Sequence, residues 1–127
     1  DDAVPASYWL AALGEALEAD PELAAVQGTV TDAPGERVDG RGIALDRWGL
    51  PVQIDRGAPV SDTEAAPVPV AVSGTACLYR LQALRQAALE DGNIFDPNFG
   101  SYHEDLDLGL RQLHPGRHRQ RSCHLRA

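Results

Sequence analysis

Residues 31–67, TDAPGERVDGRGIALDRWGLPVQIDRGAPVSDTEAAP, constrain this chain more than any other stretch. Gly, Pro and Asp recur too often for a long helix or strand to pass through. The segment is therefore expected to be a long loop with short strands near IALD and VQI, and loops of that length in compact domains are often functional. Regular structure is left to the two flanks.

On the N-terminal flank, Trp9, Leu10, Leu13, Ala16 and Leu17 recur at helical spacing, with Glu15 and Glu18 turned away. Pro5 suits a first helical turn and Asp20-Pro21 should stop the helix, which predicts a helix over 6–19. AAVQGTV (24–30) alternates Val26, Gly28 and Val30 and reads as a strand. On the C-terminal flank, VPVAVSG (68–74) reads as a buried strand with Val68, Val70 and Val72 on one face, and TACLYR (75–80) runs on from it. LQALRQAALEDG (81–92) reads as a helix closed by Gly92. IFDPNFG is a turn-rich connection. A last helix begins at SYHEDLDL, carries Leu106, Leu110 and Leu113 at i, i+4, i+7, and stops at His114-Pro115-Gly116. The order helix, strand, long loop, strand, helix, helix predicts an α/β domain, part of a mixed sheet flanked by helices. The strands are too few for a complete doubly wound sheet. The sequence opens on Asp1 just before a helix, so it is expected to begin in mid-fold.

The 127 residues are one domain by length, and 43% hydrophobic content suits a globular chain. The formal net charge is −8 and there is no lysine. Such a surface repels phosphate backbones, so nucleic acid is not an expected partner, although Arg117, Arg119, Arg121 and Arg126 cluster near the end. Cys77 and Cys123 form no CxxC pair, so neither a zinc site nor a disulfide is favoured. There is no signal-peptide pattern and no apolar run near the roughly 20 residues of a membrane helix. The chain is expected to be cytoplasmic, free or at the inner face of the membrane.

Chemistry concentrates in SYHEDLDL, where His103, Glu104, Asp105 and Asp107 fall within five residues. Ser101 and Glu104 fit the S-x-x-E capping box, and acids in a first turn gain about 0.3–1 kcal/mol each from the helix dipole. That reading needs one acid at the cap, whereas three crowd together and repel. If Leu106 and Leu110 face the core, Asp105 lies on a flank at the helix mouth, where a carboxylate facing a cleft can act as general base. Asp1 and Asp2 form a second acidic group, readable as a polar turn or as carboxylates for a hard divalent cation.

These stretches, in this order, resemble the second half of a glycosyltransferase family 2 domain, closest to its rhamnosyltransferase-like branch. DDAVPASYWLAAL resembles the end of the family's Asp-x-Asp motif and the helix after it. DPELAAVQGTV resembles the next strand, VSGTACLYRLQAL the strand, turn and helix before the active site, and IFDPNFGSYHEDLDLGLRQL the acceptor-side segment. The likeness spans residues 1–116. It implies a partial GT-A fold, with the N-terminal half that binds the nucleotide missing, so the isolated chain is expected to be inactive. It implies that Asp2, and less so Asp1, holds Mg²⁺ or Mn²⁺ on the donor diphosphate. Asp105 would be the base, Glu104 its partner in placing acceptor or helix, and Ser73, Gly74 and Thr75 the turn lining the sugar site. The implied partners are a nucleotide-diphosphate sugar donor and a glycan or lipid-linked acceptor hydroxyl, joined in a single inverting displacement. Besides the missing N-terminal half, the C-terminal end departs from the family's pattern. The polar tail RHRQRSCHLRA replaces an expected apolar strand, with His124 the candidate for a metal-ligand histidine, and the processive-synthase Q-x-x-R-W signature is absent.

Other side chains have simpler expectations. Trp9 should be core, and Trp48 in the long loop could stack on a sugar face. His103, His114 and His118 should be exposed or capping. Arg111 should pair with Asp107 one turn away. Arg47, Arg56 and Arg80 could each meet phosphate, with nothing to select one. An exposed sheet edge would invite homo-oligomerisation. Two rival functions are a non-catalytic binding or structural piece of the same fold, and an acidic domain that binds a divalent cation.

Overall fold

The computed structural model describes residues 4–62, 68–113 and 119–122, the last as backbone only. It is a mixed α/β arrangement of short helices and small sheets. α1 (Trp9–Ala19) leads into β1 (Leu23–Gln27), followed by β2 (Val30–Thr31), β3 (Val38–Gly40), β4 (Ile43–Leu45), β5 (Pro51–Gln53), β6 (Cys77–Tyr79), α2 (Leu81–Gln86), α3 (Glu104–Gln112) and β7 (Arg119–Ser122). β1 is central in a sheet ordered β6-β1-β7, antiparallel to β6 and parallel to β7. β2 pairs with β3, and β4 with β5, as separate antiparallel ladders. The two short strands expected near IALD and VQI are β4 and β5.

Leu13 and Leu17 of α1 pack on Leu23 and Val26 of β1, with Trp9, Ala16 and Leu78 around them. Trp9 is thus core, whereas Leu10 on the same predicted stripe is 62% exposed. β1 is buried along its whole length, the pattern of a strand covered on both faces rather than an alternating one. Arg80 donates to the backbone oxygens of Leu17, Asp20 and Leu23. It caps the end of α1 and ties it to the sheet, so it is a structural cation and not a phosphate contact.

Four expectations are corrected. α1 starts at Trp9, not residue 6, since Ser7 and Tyr8 form a turn. Residues 68–74 are no strand: Pro69 cannot donate to a ladder, Val68 is 70% exposed, and only Val70 and Ala71 bond to Ile43. The helix expected over 81–92 ends at Gln86. Beyond it Arg111 takes up the Ala87 and Ile94 carbonyls, while Asp91 accepts from the Asn93 amide in a tight turn. Arg111 also pairs with Asp107 at 2.8 Å, as its spacing required.

The fourth correction is the phase of α3. Leu110 and Leu113 are 46% and 37% exposed, while Leu108, Gly109 and Gln112 are buried. A Cβ on Gly109 would lie 2.7 Å from the Val70 carbonyl oxygen and 2.8 Å from Ala71 Cα, and would also meet Ala71 Cβ. Only a glycine lets the helix backbone approach so closely, and that contact sets the rotation of α3. Gly109→Ala should destabilise the fold. The helix-propensity gain is at most about 1 kcal/mol, against roughly 1–3 kcal/mol for overpacking. A lowered urea midpoint at unchanged slope is expected; an unchanged or raised midpoint would contradict the close packing.

Candidate functional site

With α3 turned this way, Asp105, Leu108, Gly109 and Gln112 form one inward stripe at i, i+3, i+4, i+7. Asp105 is the polar end of that stripe, not a flank residue as the leucine spacing suggested. Its Oδ1 accepts from the Leu106 amide at 2.8 Å and its Oδ2 from the Gly74 amide at 3.2 Å. The Ser101–Glu104 capping box does not form. His103 occupies the N-cap position without a side-chain bond, and the helix begins at Glu104.

The turn that meets Asp105 is fixed from below. Gln27, fully buried at the end of β1, accepts from the Ser73 amide through Oε1 at 2.6 Å. The Ser73 and Thr75 hydroxyls lie 3.3 Å apart. Side chain and backbone thus connect the end of β1, the 73–75 turn and the start of α3. Gln27 was missed in the sequence, where its signal is a lone amide inside an apolar strand.

These residues line an open cleft of about 870 Å³. Ser73, Gly74 and Thr75 form one part of its wall, Tyr102, His103, Glu104 and Asp105 another, and Ile43, Pro51, Val52, Gln53 and Arg56 from the β4–β5 side the rest. Five residues assigned by the resemblance therefore meet in one place: Ser73, Gly74, Thr75, Glu104 and Asp105. Arg56 is the arginine lining the cleft; it sits 3.5 Å from Asp39, and both side chains are exposed. Arg47 instead lies over the Trp48 ring, 4.9 Å from its centroid. Trp48 is 74% exposed at the tip of the β4–β5 hairpin and is not part of this cleft's wall. Glu104 Oε2 is enclosed with no hydrogen-bond partner among the described residues.

The approach to α3 is strained. Tyr102 and His103 have φ of +75° and +70°, and Gly100 has +64°. Two consecutive non-glycine residues in the left-handed region cost about 1–3 kcal/mol each, and such strain clusters at ligand sites.

Beside the acids, Cys77 and Tyr79 alternate with Leu78 along β6 and so share one face of the strand. Burial pushes the Cys77 thiol up, and the charge of Asp105 adds to it. Burial also pushes the Tyr79 phenol far above its ordinary range, reinforced by Cys77, Asp105 and Glu104.

Asp1, Asp2, His114, His118, Cys123 and His124 lie outside the described residues. Among the described residues no group of three or more His, Cys, Asp or Glu side chains converges as a metal cage. No described helix is long and apolar enough to cross a membrane. No protein-family model, curated protein or solved structure matches the chain.

Both raised groups have the same linkage sign. The unfolded chain releases the thiol and phenol protons near about pH 8.5 and 10, while the folded chain holds them to higher pH. Their contribution is complete below those values and is lost as pH rises through them. The chain has no lysine to titrate in this alkaline window. Urea midpoints should fall from about pH 9 upward, and Tyr79→Phe should flatten the fall. A flat wild-type profile, or an unchanged slope in the variant, would contradict the burial of these groups.

Proposed function

We propose that this chain forms the acceptor side of an inverting glycosyltransferase of GT-A type, acting in the cytoplasm or at the inner face of the membrane. One observation carries the reading: the Asp105 carboxylate is fixed in a cleft wall by the Gly74 and Leu106 amides. An ionised carboxylate offers about four acceptor positions. Two amides orient Asp105 and leave lone pairs for an incoming hydroxyl.

In the proposed reaction Asp105 takes the proton of the acceptor hydroxyl as its oxygen attacks the anomeric carbon. The bond to the diphosphate breaks on the opposite face, and the leaving group departs with the electron pair. The product has inverted configuration, and no enzyme nucleophile is needed. Ser73, Gly74 and Thr75 would line the sugar, and Glu104 would help place acceptor and helix. Arg56 is the cation positioned to meet negative charge in the cleft. Mg²⁺ or Mn²⁺ on Asp2 and Asp1 would, when bound, neutralise the leaving diphosphate.

The test is transfer from labelled nucleotide-diphosphate sugars by the full-length protein. Asp105→Asn should keep the fold by circular dichroism and lose about 10²–10⁴-fold in kcat, the usual worth of a general base. Undiminished transfer in that variant would remove Asp105 from the role.

A further inference from the structure

The proposed glycosyl transfer gives no task to the largest aromatic side chain in the cleft wall. Tyr102 is 80% exposed, lines the cleft together with Asp105, and precedes it by three residues. Little of it is buried, so packing does not account for its position. Its left-handed backbone, shared with His103, is a steric outlier for a bulky residue. Helix capping does not offset that strain, because His103 makes no side-chain cap bond. A glycine at 102 would satisfy the same turn without strain. What the strained turn achieves is to put an aromatic ring at the cleft beside Asp105.

The rest of the wall combines an apolar strip of Ile43, Pro51 and Val52 with polar groups: the Gln53 amide, the Arg56 guanidinium, the Ser73 and Thr75 hydroxyls, and the two acids. An exposed phenol ring in a wall that offers both apolar surface and hydrogen-bonding groups suits a ligand with an apolar face and a polar rim. A sugar ring has that form, with axial C–H bonds on a face and hydroxyls around the edge. A simple lipid alcohol or a peptide hydroxyl does not. We infer that Tyr102 is the platform on which the acceptor's own sugar ring stacks, which makes the acceptor a glycan. The inference rests on the glycosyl-transfer reading of this cleft.

Saturation-transfer NMR tests it, with methyl glycosides of glucose, galactose and rhamnose as probes and n-butanol as the non-sugar alcohol. Saturation should reach the ring C–H protons of at least one glycoside in the wild-type chain and in Tyr102→Phe, and not butanol. It should fall several-fold in Tyr102→Ala. Tyr102→Gly should lose the signal equally while its Tm rises by a few degrees, because the strain is relieved; a purely structural tyrosine would not separate the two readouts. Full saturation in Tyr102→Ala, or no glycoside signal in the wild type, would overturn the platform. Transfer assays on the full-length protein separate the two readings. Acceptor KM unchanged in Tyr102→Ala while Asp105→Asn abolishes transfer would remove the platform and keep glycosyl transfer. Saturation that depends on Tyr102, with no nucleotide sugar supporting transfer, would keep the sugar site and remove glycosyl transfer.

Discussion

The contact between Gly109 and the Val70–Ala71 backbone governs the rest of the site. A helix that touches its neighbour through a glycine has little freedom to rotate, because turning it by one residue would drive a side chain into the Val70 carbonyl. With that face fixed, Leu108 and Gln112 go inward and Leu110 goes out. Asp105, one turn earlier on the same face, then points at the 73–75 turn rather than at solvent.

From there the site is built by polar groups that fix one another. Gln27 is held in the central strand and orients the Ser73 amide; the next amide, Gly74, reaches Asp105. Hydrogen bonds to an ionised group contribute about 1.5–3 kcal/mol each. That is the same order as the backbone strain at Tyr102 and His103, so the amide bonds to Asp105 are large enough to hold the strained entry to α3. The arrangement explains how a turn with two left-handed non-glycine residues persists at a helix start that lacks a side-chain cap.

Sequence showed what local chemistry decides. Asp20-Pro21 marks the end of α1, and Asp96-Pro97-Asn98 forms the capped turn before α3. The Gly and Pro spacing of the long loop locates β4 and β5. It did not show what tertiary contact decides. The leucines at 106, 110 and 113 make a convincing stripe, yet the true inward stripe is Asp, Leu, Gly and Gln, which no count of apolar residues would select. Residues 81–92 carry helix-forming residues throughout, but the carbonyls beyond Gln86 are captured by Arg111, a partner distant in sequence. The site was legible to the same degree. The 73–75 turn and the Glu104–Asp105 pair meet in one cleft, while Trp48 lies outside it and Gln27 and Tyr102 were overlooked. A buried amide and an exposed aromatic have no periodic signature.

One carboxylate, Asp105, joins the start of α3 to the 73–75 turn and is thereby aimed into the cleft. Amide-resolved NMR of the wild-type chain and Asp105→Asn tests this directly. The Gly74 and Leu106 amide resonances should move furthest, with the β1 and α1 amides unchanged. A Gly74 resonance that stays in place while Leu106 moves would mean that Asp105 only caps its own helix and is not held against the 73–75 turn.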